Sequence, residues 1–279
     1  MNPEIISLGE LLVEIMRPEI NIAHGKIGQI YKGPYPSGAP LIFIDSAARM
    51  SKIFGFNSGF IGVIGNDEFG DCIIKKMKKD EIDISQIRVD RSKTTGIAFN
   101  QYNSDGSRKF IFAPGAAGET SSKDVKIDYF EKVQVLHIMG SALSISKSSR
   151  QACYKALKIA KNINPKVIIS FDPNLRPEML DIDTILEIYH PILRETHILL
   201  PSGEEAEMLA GIEGSKEACK KLLNMGPNMV VLKQGKDGAM IFTNDLQSGI
   251  QASAISVKEV DPTGAGDSFG GAFVAAYLA

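Results

Sequence analysis

The stretch Asp261-Pro262-Thr263-Gly264-Ala265-Gly266-Asp267-Ser268-Phe269-Gly270-Gly271 carries the chemistry that this chain offers. Residues 255–260 before it mix β-branched and polar side chains and predict a strand, whereas residues 269–278 after it are small and apolar and predict a buried helix. The glycines between them allow backbone N–H groups to approach a ligand closely. If the helix begins at this turn, its positive end forms an anion site beside the Asp267 carboxylate.

A carboxylate beside an anion site repels a phosphate unless it has another task, and accepting the proton of an attacking hydroxyl is such a task. Two common glycine motifs do not match this stretch. A dinucleotide-binding turn reads G-x-G-x-x-G and is followed by an acidic residue about twenty positions later, which the glycine spacing here and the residues that follow do not supply. A P-loop needs Gly-Lys followed by Ser or Thr, and neither Gly25-Lys26 nor Gly235-Lys236 is followed by either. A strand-to-helix turn with glycines for tight packing remains as the structural alternative.

The pattern Asp-x-Thr-Gly-Ala-Gly-Asp followed by Ser-Phe-x-Gly-Gly resembles the C-terminal signature of the ribokinase-like (PfkB) family of sugar and nucleoside kinases. Five further segments, in the order that the family has them, resemble it over essentially the whole sequence: Gly9-Glu10, 36–40, 62–70, Asp172-x-Asn174-x-Arg176 and 231–238. Gly9-Glu10 is similar to the opening of the fructokinase-like and 2-keto-3-deoxygluconate-kinase-like branch.

Composition excludes several classes of protein. The net charge is −2 and acidic and basic residues are interspersed, so neither a nucleic-acid partner nor a membrane surface is indicated. The three cysteines are scattered without a C-x-x-C pair, which fits a reducing compartment. The first residues lack the pattern of a signal peptide, and no apolar run approaches the length of a membrane helix. We therefore expect a cytoplasmic protein.

The order of predicted elements indicates the fold class. Apolar runs predict strands at 5–15, 58–65, 133–138, 167–171, 197–200, 229–232 and 239–243. Helical periodicity predicts helices at 39–54, about 66–79, 147–161, 184–194, 203–210 and 216–224. This alternation predicts an α/β fold with a doubly wound, mainly parallel sheet flanked by helices, in one domain over residues 1–279.

A small β lid is predicted outside this alternation. Residues 94–102 and 107–113 form a predicted hairpin around the turn 103–106, and two strands without a helix between them do not belong to a βαβ run. Together with the irregular segment of about 15–36, the hairpin is expected to form a lid over the sheet. Because a two-stranded hairpin is marginal alone, it should pack on a twin in a homodimer or cover the sugar.

The resemblance implies a site for ATP, Mg²⁺ and a sugar. It assigns Asp267 as the base, and it assigns the amides of Gly264, Ala265 and Gly266 as the hole for the charge on the γ-phosphoryl group. The positive helix end is expected to keep Asp267 ionised, so that placement rather than raised basicity supports its role. The implied sugar-side residues are Glu10, Glu14, Ser37, Gly38, Arg108, Asn174 and Arg176. The implied nucleotide-side residues are Thr263, Lys233, Gly235 and Gly238. Glu205 is implied as an indirect Mg²⁺ partner, and Asp261 is a candidate ligand for a monovalent cation such as K⁺.

Three departures from the family pattern keep alternatives open. Ile42 stands where the family often has a sugar-binding Asn, and Ser202 replaces the Asn of its Asn-x-x-Glu. The sequence stops at Ala279, where family members usually continue, so we expect a short member or a fragment. The leading hypothesis is an ATP-dependent kinase that phosphorylates a primary hydroxyl of a ketose or a keto-sugar acid. The alternatives are a nucleoside kinase, with Phe110 and Phe112 around the base, and a sugar- or nucleotide-binding protein without turnover.

Overall fold

The computed structural model describes residues 2–105, 107–177, 179–258 and 261–279. Its strands are β1 (Ile5–Glu10), β2 (Leu12–Met16), β3 (Lys32–Ser37), β4 (Ser58–Gly65), β5 (Asp83–Asp90), β6 (Gly96–Tyr102), β7 (Arg108–Ala113), β8 (Val135–Met139), β9 (Ile168–Asp172), β10 (Ile198–Leu199), β11 (Met229–Lys233), β12 (Ala239–Thr243) and β13 (Leu246–Ala252). Its helices are α1 (Ala39–Ser51), α2 (Glu68–Lys79), α3 (Gly140–Ser144), α4 (Lys147–Ile163), α5 (Ile182–Leu193), α6 (Gly203–Ala210), α7 (Ser215–Leu223) and α8 (Ala265–Leu278). Three 3₁₀ turns lie at Gly115–Glu119, Ile127–Phe130 and Gly235–Asp237.

The main sheet has nine strands in the order β13-β12-β11-β10-β9-β8-β1-β4-β5. The strands from β5 to β11 pair in parallel, and β12 and β13 add an antiparallel edge. The predicted doubly wound, mainly parallel α/β fold is therefore confirmed. Strand β1 pairs with β4 on one side and with β8 on the other, so the strand order reverses there. In open α/β sheets such a reversal leaves a crevice at the carboxyl ends of the strands, where ligands bind.

Apolar side chains from both faces of the sheet form two core layers. Helices α1, α2 and α8 cover one face, with Phe43 of α1 and Val274 of α8 fully buried there. Helices α3 to α7 cover the other face, with the fully buried Tyr189 of α5 among them. Helices on both faces explain why the central strands are apolar along their whole length. Within the described ranges, no helix combines the length and the apolar character needed to cross a membrane.

The lid is a separate sheet of four strands in the order β3-β2-β6-β7. Strand β2 pairs antiparallel with β3 and parallel with β6, and β6 pairs antiparallel with β7. The predicted lid is therefore larger than its hairpin, because the strands 12–16 and 32–37 complete it. The hairpin turn includes Gly106, which lies outside the described residues.

The single strand predicted over residues 5–15 is wrong, since the chain changes sheets at Leu11. Periodicity could not reveal this break because the residues on both sides of it are apolar and extended. Another segment passes close to the chain at this break. A Cβ on Gly38, whose φ is 111°, would lie 2.5 Å from the carbonyl oxygen of Glu10. The chain that returns from the lid thus passes directly over the end of β1.

Other predicted boundaries also differ. Strands β5 and β13 were not predicted, because they carry mixed or largely polar side chains and are only partly buried. The strand predicted at 255–260 is absent over residues 255–258, which are exposed; residues 259 and 260 lie outside the described part of the chain. Helix α2 begins where predicted, because the Asp67 carboxylate accepts hydrogen bonds from the N–H groups of Phe69 and Gly70.

Replacing Gly271 with Ala is expected to destabilise the protein by about 1–3 kcal/mol, although Ala favours helices. The added Cβ would lie 2.1 Å from the carbonyl oxygen of Phe43 and 2.9 Å from the backbone nitrogen of Ala47, so α8 must move away from α1. Urea unfolding measures the change. The matched control is Gly203→Ala, whose Cβ would meet Ser215 at an ordinary 3.6 Å. Equal stability of the two variants would contradict this account of the helix contact.

Candidate active site

The N-terminus of α8 lies at the carboxyl edge of the main sheet, and Gly264 shapes it. Gly264 adopts φ 72°, a left-handed conformation that favours glycine, and precedes the first residue of the helix. A Cβ there would lie 2.8 Å from Cδ1 of Ile42, so Ile42 packs directly under the turn. From the same helix α1, the Ser46 hydroxyl donates a hydrogen bond to the carbonyl of Ser268 at 2.7 Å. Helix α1 therefore supports the turn, and the residue that replaces the family's sugar-binding Asn is part of that support.

The backbone amides of this turn differ in their partners. The N–H of Ala265 donates to the carbonyl of Pro262 at 3.2 Å, and the N–H of Ser268 donates to the carbonyl of Gly264 at 2.8 Å. For the N–H groups of Gly264, Gly266 and Asp267, no acceptor occurs among the residues that the structure describes. Unpaired donors at a helix N-terminus are suited to hold an anion.

Asp267 lies in the first turn of α8, beside these free amides. Burial raises the pKa of its carboxyl to about 6, against the opposing effects of Lys233 and Arg176. The prediction that Asp267 is ionised agrees with this value at neutral pH, but its basicity is raised more than the helix end suggested, because burial outweighs the charges of Lys233 and Arg176. At neutral pH the carboxyl is still mostly ionised, and a base with a pKa near the working pH is favourable for proton transfer.

Lys233 and Asp172 form an ion pair at the ends of two strands in the same sheet edge. The ammonium of Lys233 donates a hydrogen bond of 2.5 Å to Oδ2 of Asp172, whose side chain is fully buried. Burial raises the pKa of Asp172 to about 7, although Lys233 opposes this rise. A Cβ on Gly266 would lie 3.6 Å from Nζ of Lys233, so the ammonium reaches the N-terminus of α8. Lys233, predicted on the nucleotide side, thus lies between Asp172 and the amides of the anion site.

Glu205 forms backbone hydrogen bonds that the sequence did not predict. It lies in the first turn of α6 and forms a capping box with Ser202, whose N–H donates to Oε2 of Glu205 at 2.7 Å. Its other oxygen, Oε1, accepts the N–H of Leu175 at 3.0 Å. Both oxygens therefore have backbone partners and tie α6 to the loop that follows β9. The described residues contain no group of three or more side chains arranged to hold a metal ion.

Glu10 ends β1 at the crevice and is only 4% exposed. The hydroxyl of Ser141, just after β8, donates to its Oε1 at 2.5 Å. Burial raises the pKa of Glu10 to about 7, although the Ser141 hydrogen bond and the charge of Arg176 lower it. Its other oxygen, Oε2, is buried and has no hydrogen-bond partner within the part of the chain that the structure describes.

Asn174 and Arg176 follow β9 at the same edge. Asn174 has an unusual φ of 36°, and its N–H donates to Oδ1 of Asp172 at 3.2 Å. Its side-chain Oδ1 is buried without a partner among the described residues. The positive charge of Arg176 lowers the pKa of both Glu10 and Asp267. The free acceptors of Glu10 and Asn174 are suited to hydroxyl donors.

The lid contributes Glu14 and Arg108 above this edge. Burial raises the pKa of Glu14, while Asn100, Ser37 and Arg108 lower it, although the Asn100 side chain forms no hydrogen bond within the described residues. Asn100 is fully buried in β6 and was not predicted, because nothing in its sequence context distinguishes it from other lid residues. Ser37 and Gly38 lie where β3 leads into α1, and Gly38 passes over the carbonyl of Glu10.

Asp261 and Thr263 are tied to the lid by Tyr102, another residue that the sequence did not reveal. The Tyr102 hydroxyl donates to Oδ1 of Asp261 at 2.8 Å and also contacts the hydroxyl of Thr263 at hydrogen-bonding distance. The N–H of Thr263 donates to the same Oδ1 at 2.9 Å. No short-range pattern links positions 159 residues apart, so this contact had no sequence signal.

The predicted nucleotide-side glycines lie in the turn after β11. Gly235 and Gly238 adopt φ 57° and 96°, and a Cβ on Gly238 would lie 2.0 Å from the carbonyl of Ala252. An open groove of about 390 Å³ lies beside this turn, lined by residues that include Gln234, Lys236 and Ser253. One of its lining residues, Gln234, directly follows Lys233 at the end of β11.

His137 lies deeper in the fold. It is fully buried, stacks on Phe43 with ring centroids 3.4 Å apart, and forms a 3.0 Å hydrogen bond with the Ser170 hydroxyl. Burial lowers its pKa well below the ordinary value, so it is neutral. Its position agrees with a core histidine rather than with a ligand.

The chain resembles known sugar kinases in both sequence and structure. A family model described as "pfkB family carbohydrate kinase" matches residues 45–279. The chain is 30% identical to "Probable fructokinase-5" of Arabidopsis thaliana, over 98% of this chain and 82% of that protein. It is 29% identical to the 2-dehydro-3-deoxygluconokinase of Thermoproteus tenax, again over 98% and 82%. An E. coli protein with the provisional name Ribokinase II, solved with ATP and Mg²⁺, superimposes with a TM-score of 0.89 at 39% identity, covering 99% of this chain and 86% of that one.

Proposed function

Because the chain belongs to the pfkB family of carbohydrate kinases, we propose that it transfers the γ-phosphoryl group of ATP to a primary hydroxyl of a ketose. The predicted family and its fructokinase and 2-keto-3-deoxygluconate kinase branch are confirmed by the matches above. One observation carries the proposal for this chain: the Asp267 carboxylate lies beside unpaired amides at the N-terminus of α8. That pairing supplies a base and an anion site within one helical turn.

Asp267 accepts the proton of the sugar hydroxyl, whose oxygen forms the new bond to phosphorus while the bond to the leaving phosphate oxygen breaks. The amides of Gly264 and Gly266 face the charge on the transferred group, and Lys233 adds a positive charge there. ATP supplies the phosphoryl group, and Mg²⁺ neutralises the charge of its phosphates. Each oxygen of Glu205 accepts one backbone N–H group, and the indirect role of Glu205 toward Mg²⁺ stays a prediction. Asp261 as a ligand for K⁺ stays a prediction.

The charges around the crevice favour a neutral ketose over a keto-sugar acid. Burial raises the pKa of both Glu10 and Glu14, while the charges of Arg176 and Arg108 oppose this rise. A carboxylate on the substrate would compete with Glu10 and Glu14 for these two cations. The unpaired acceptors Oε2 of Glu10 and Oδ1 of Asn174 instead suit two hydroxyl donors. We therefore place a polyhydroxy sugar without an acid group in the crevice.

The test is ADP release from ATP and Mg²⁺ with the purified chain across ketoses, aldoses, keto-sugar acids and nucleosides. We expect turnover with one or more ketoses, at a kcat/KM at least tenfold above that for any keto-sugar acid. Turnover with nucleosides alone would favour Phe110 and Phe112 as a base sandwich. Binding of a sugar without turnover on any substrate would contradict the kinase and favour the binding protein.

We keep the homodimer through the lid as a proposal, because the lid exposes large apolar side chains. Strand β7 exposes Phe110 by 45% and Ile111 by 52%. Alternation along the strand puts Phe110 on the face with Arg108 and puts Ile111 on the opposite face. One face of β7 can therefore contact the sugar while the other remains available for a second copy of the chain.

A further inference from the structure

The face of the lid that carries Arg108 also carries Tyr102. Tyr102 ends β6 and pairs directly opposite Arg108 of β7, so both side chains lie on the same face. Asn100 lies two residues before Tyr102 on that face and is close to Glu14. A sugar held by Glu14 and Arg108 would therefore fix the strand that bears Tyr102.

The Tyr102 hydroxyl reaches from this face to the segment before α8. It donates to Oδ1 of Asp261 at 2.8 Å and contacts the Thr263 hydroxyl. Burial alone would raise the pKa of Asp261, but the hydrogen bonds from Thr263 and Tyr102 hold that pKa below its ordinary value. The carboxylate is thus an acceptor shared between the lid and the turn.

Among the described residues, the segment that receives these hydrogen bonds has little other support. Asp261 and Pro262 are exposed, and residues 253–258 before them are exposed and form neither helix nor strand. Ile42 packs under Gly264 from below, but Tyr102 is the side chain from outside the segment that bonds Asp261 and Thr263 among the described residues. The carbonyl of Pro262 in turn holds the N–H of Ala265 at the start of α8. A shift of Asp261 or Thr263 would therefore move the amides of the anion site.

We propose that Tyr102 is a positioning residue that holds the anion-binding turn at the start of α8 in place when the lid lies over the sugar. The inference rests on the proposed kinase activity for its effect on rate. Through Asp261 and Thr263, Tyr102 couples the sugar side of the crevice to the phosphoryl side. Without the Tyr102 hydroxyl, the turn loses its hydrogen bonds to the lid. Its backbone amides are then less well placed to bind the transferred phosphoryl group.

The test is a double-mutant cycle with Tyr102→Phe and Asp261→Ala. Tyr102→Phe keeps the ring and should lower kcat about tenfold, the effect of about one hydrogen bond, with the sugar KM changed less than threefold. In the Asp261→Ala background the same change should lower kcat clearly less than in the wild type, because the carboxylate that accepts the Tyr102 hydrogen bond is gone and only the contact with the Thr263 hydroxyl remains. Additive losses in the two backgrounds would overturn the proposal. Tyr277→Phe, in the exposed last turn of α8, is the matched control and should leave kcat unchanged.

A second readout does not require turnover. Hydrogen–deuterium exchange of a peptide that covers residues 261–269 should be several-fold faster in Tyr102→Phe than in the wild type, since the Thr263 amide loses its support. The exchange of α5 should not change. Unchanged exchange at 261–269 would overturn the proposal even if the enzyme is active. Faster exchange in Tyr102→Phe than in the wild type, combined with a wild type that turns over no sugar, would contradict the kinase but keep the link between Tyr102 and the turn.

Discussion

Replacing Asp267 with Asn is expected to lower kcat by about 10²–10⁴-fold, the usual contribution of a positioned base. The Asn side chain has nearly the same shape as Asp and keeps the turn intact, but its amide group cannot accept the proton of the sugar hydroxyl. Binding of the sugar and of ATP, measured by calorimetry, should change by less than threefold, because the loss falls on the transition state. Residual activity above a tenth of the wild-type kcat would contradict the role of Asp267 as the base.

The pH dependence provides an independent check of this assignment. Because the pKa of Asp267 is raised to about 6, the fraction of ionised base falls as the pH drops through about 6. The value of kcat/KM should therefore decline below that pH by about tenfold per pH unit, since it reports the free enzyme. The residual rate of Asp267→Asn should lack this decline. The matched control is Asp245→Asn, in the exposed turn between β12 and β13, and it should keep both the wild-type rate and the wild-type pH profile.

Local signals in the sequence were sufficient for the elements whose ends are chemically marked. Asp67 predicted the start of α2 because a side-chain cap is a property of neighbouring residues. The turn at 264–267 predicted the helix start and the carboxylate beside it for the same reason, since the glycines and the acid lie within one helical turn. The order of strands and helices then predicted the sheet that brings this turn to the carboxyl edge.

Contacts between distant residues could not be predicted in this way. Lys233 and Asp172 are 61 residues apart, and their pairing depends on the order β9-β10-β11 in the sheet. The change of sheet at Leu11 depends on Gly38 passing over Glu10, which periodicity does not encode. The raised pKa of Asp267 likewise follows from burial by surrounding elements, which an argument from the helix end alone does not include.

Replacing Lys233 with Met is expected to lower the free energy of unfolding by about 3–5 kcal/mol at pH 8, because it leaves the buried carboxylate of Asp172 without its partner. It should also lower kcat, since the positive charge next to Gly266 is lost. The variant Lys216→Met removes an exposed lysine of α7 and should change neither property. Urea unfolding and the ADP-release assay measure the two effects.

The pH dependence of the stability of Lys233→Met follows from Asp172, the partner that remains in the variant. The pKa of Asp172 is already about 7 in the folded protein, and without Lys233 it rises further above the unfolded value of about 3.9. Between these two values the folded state binds more protons than the unfolded state, so the variant gains stability as the pH falls. The free energy of unfolding of the variant should therefore lie closer to the wild-type value at pH 5.5 than at pH 8.

The double variant Asp172→Asn with Lys233→Met separates the two roles of the ion pair. Without the buried carboxylate there is no unpaired charge, so most of the lost free energy of unfolding should return at pH 8. The kcat should stay low, because no positive charge faces the amides of the anion site. A double variant that recovers both properties would show that Lys233 acts only through the stability of Asp172. One that recovers neither would mean that the fold requires the ion pair itself rather than the neutrality of the site.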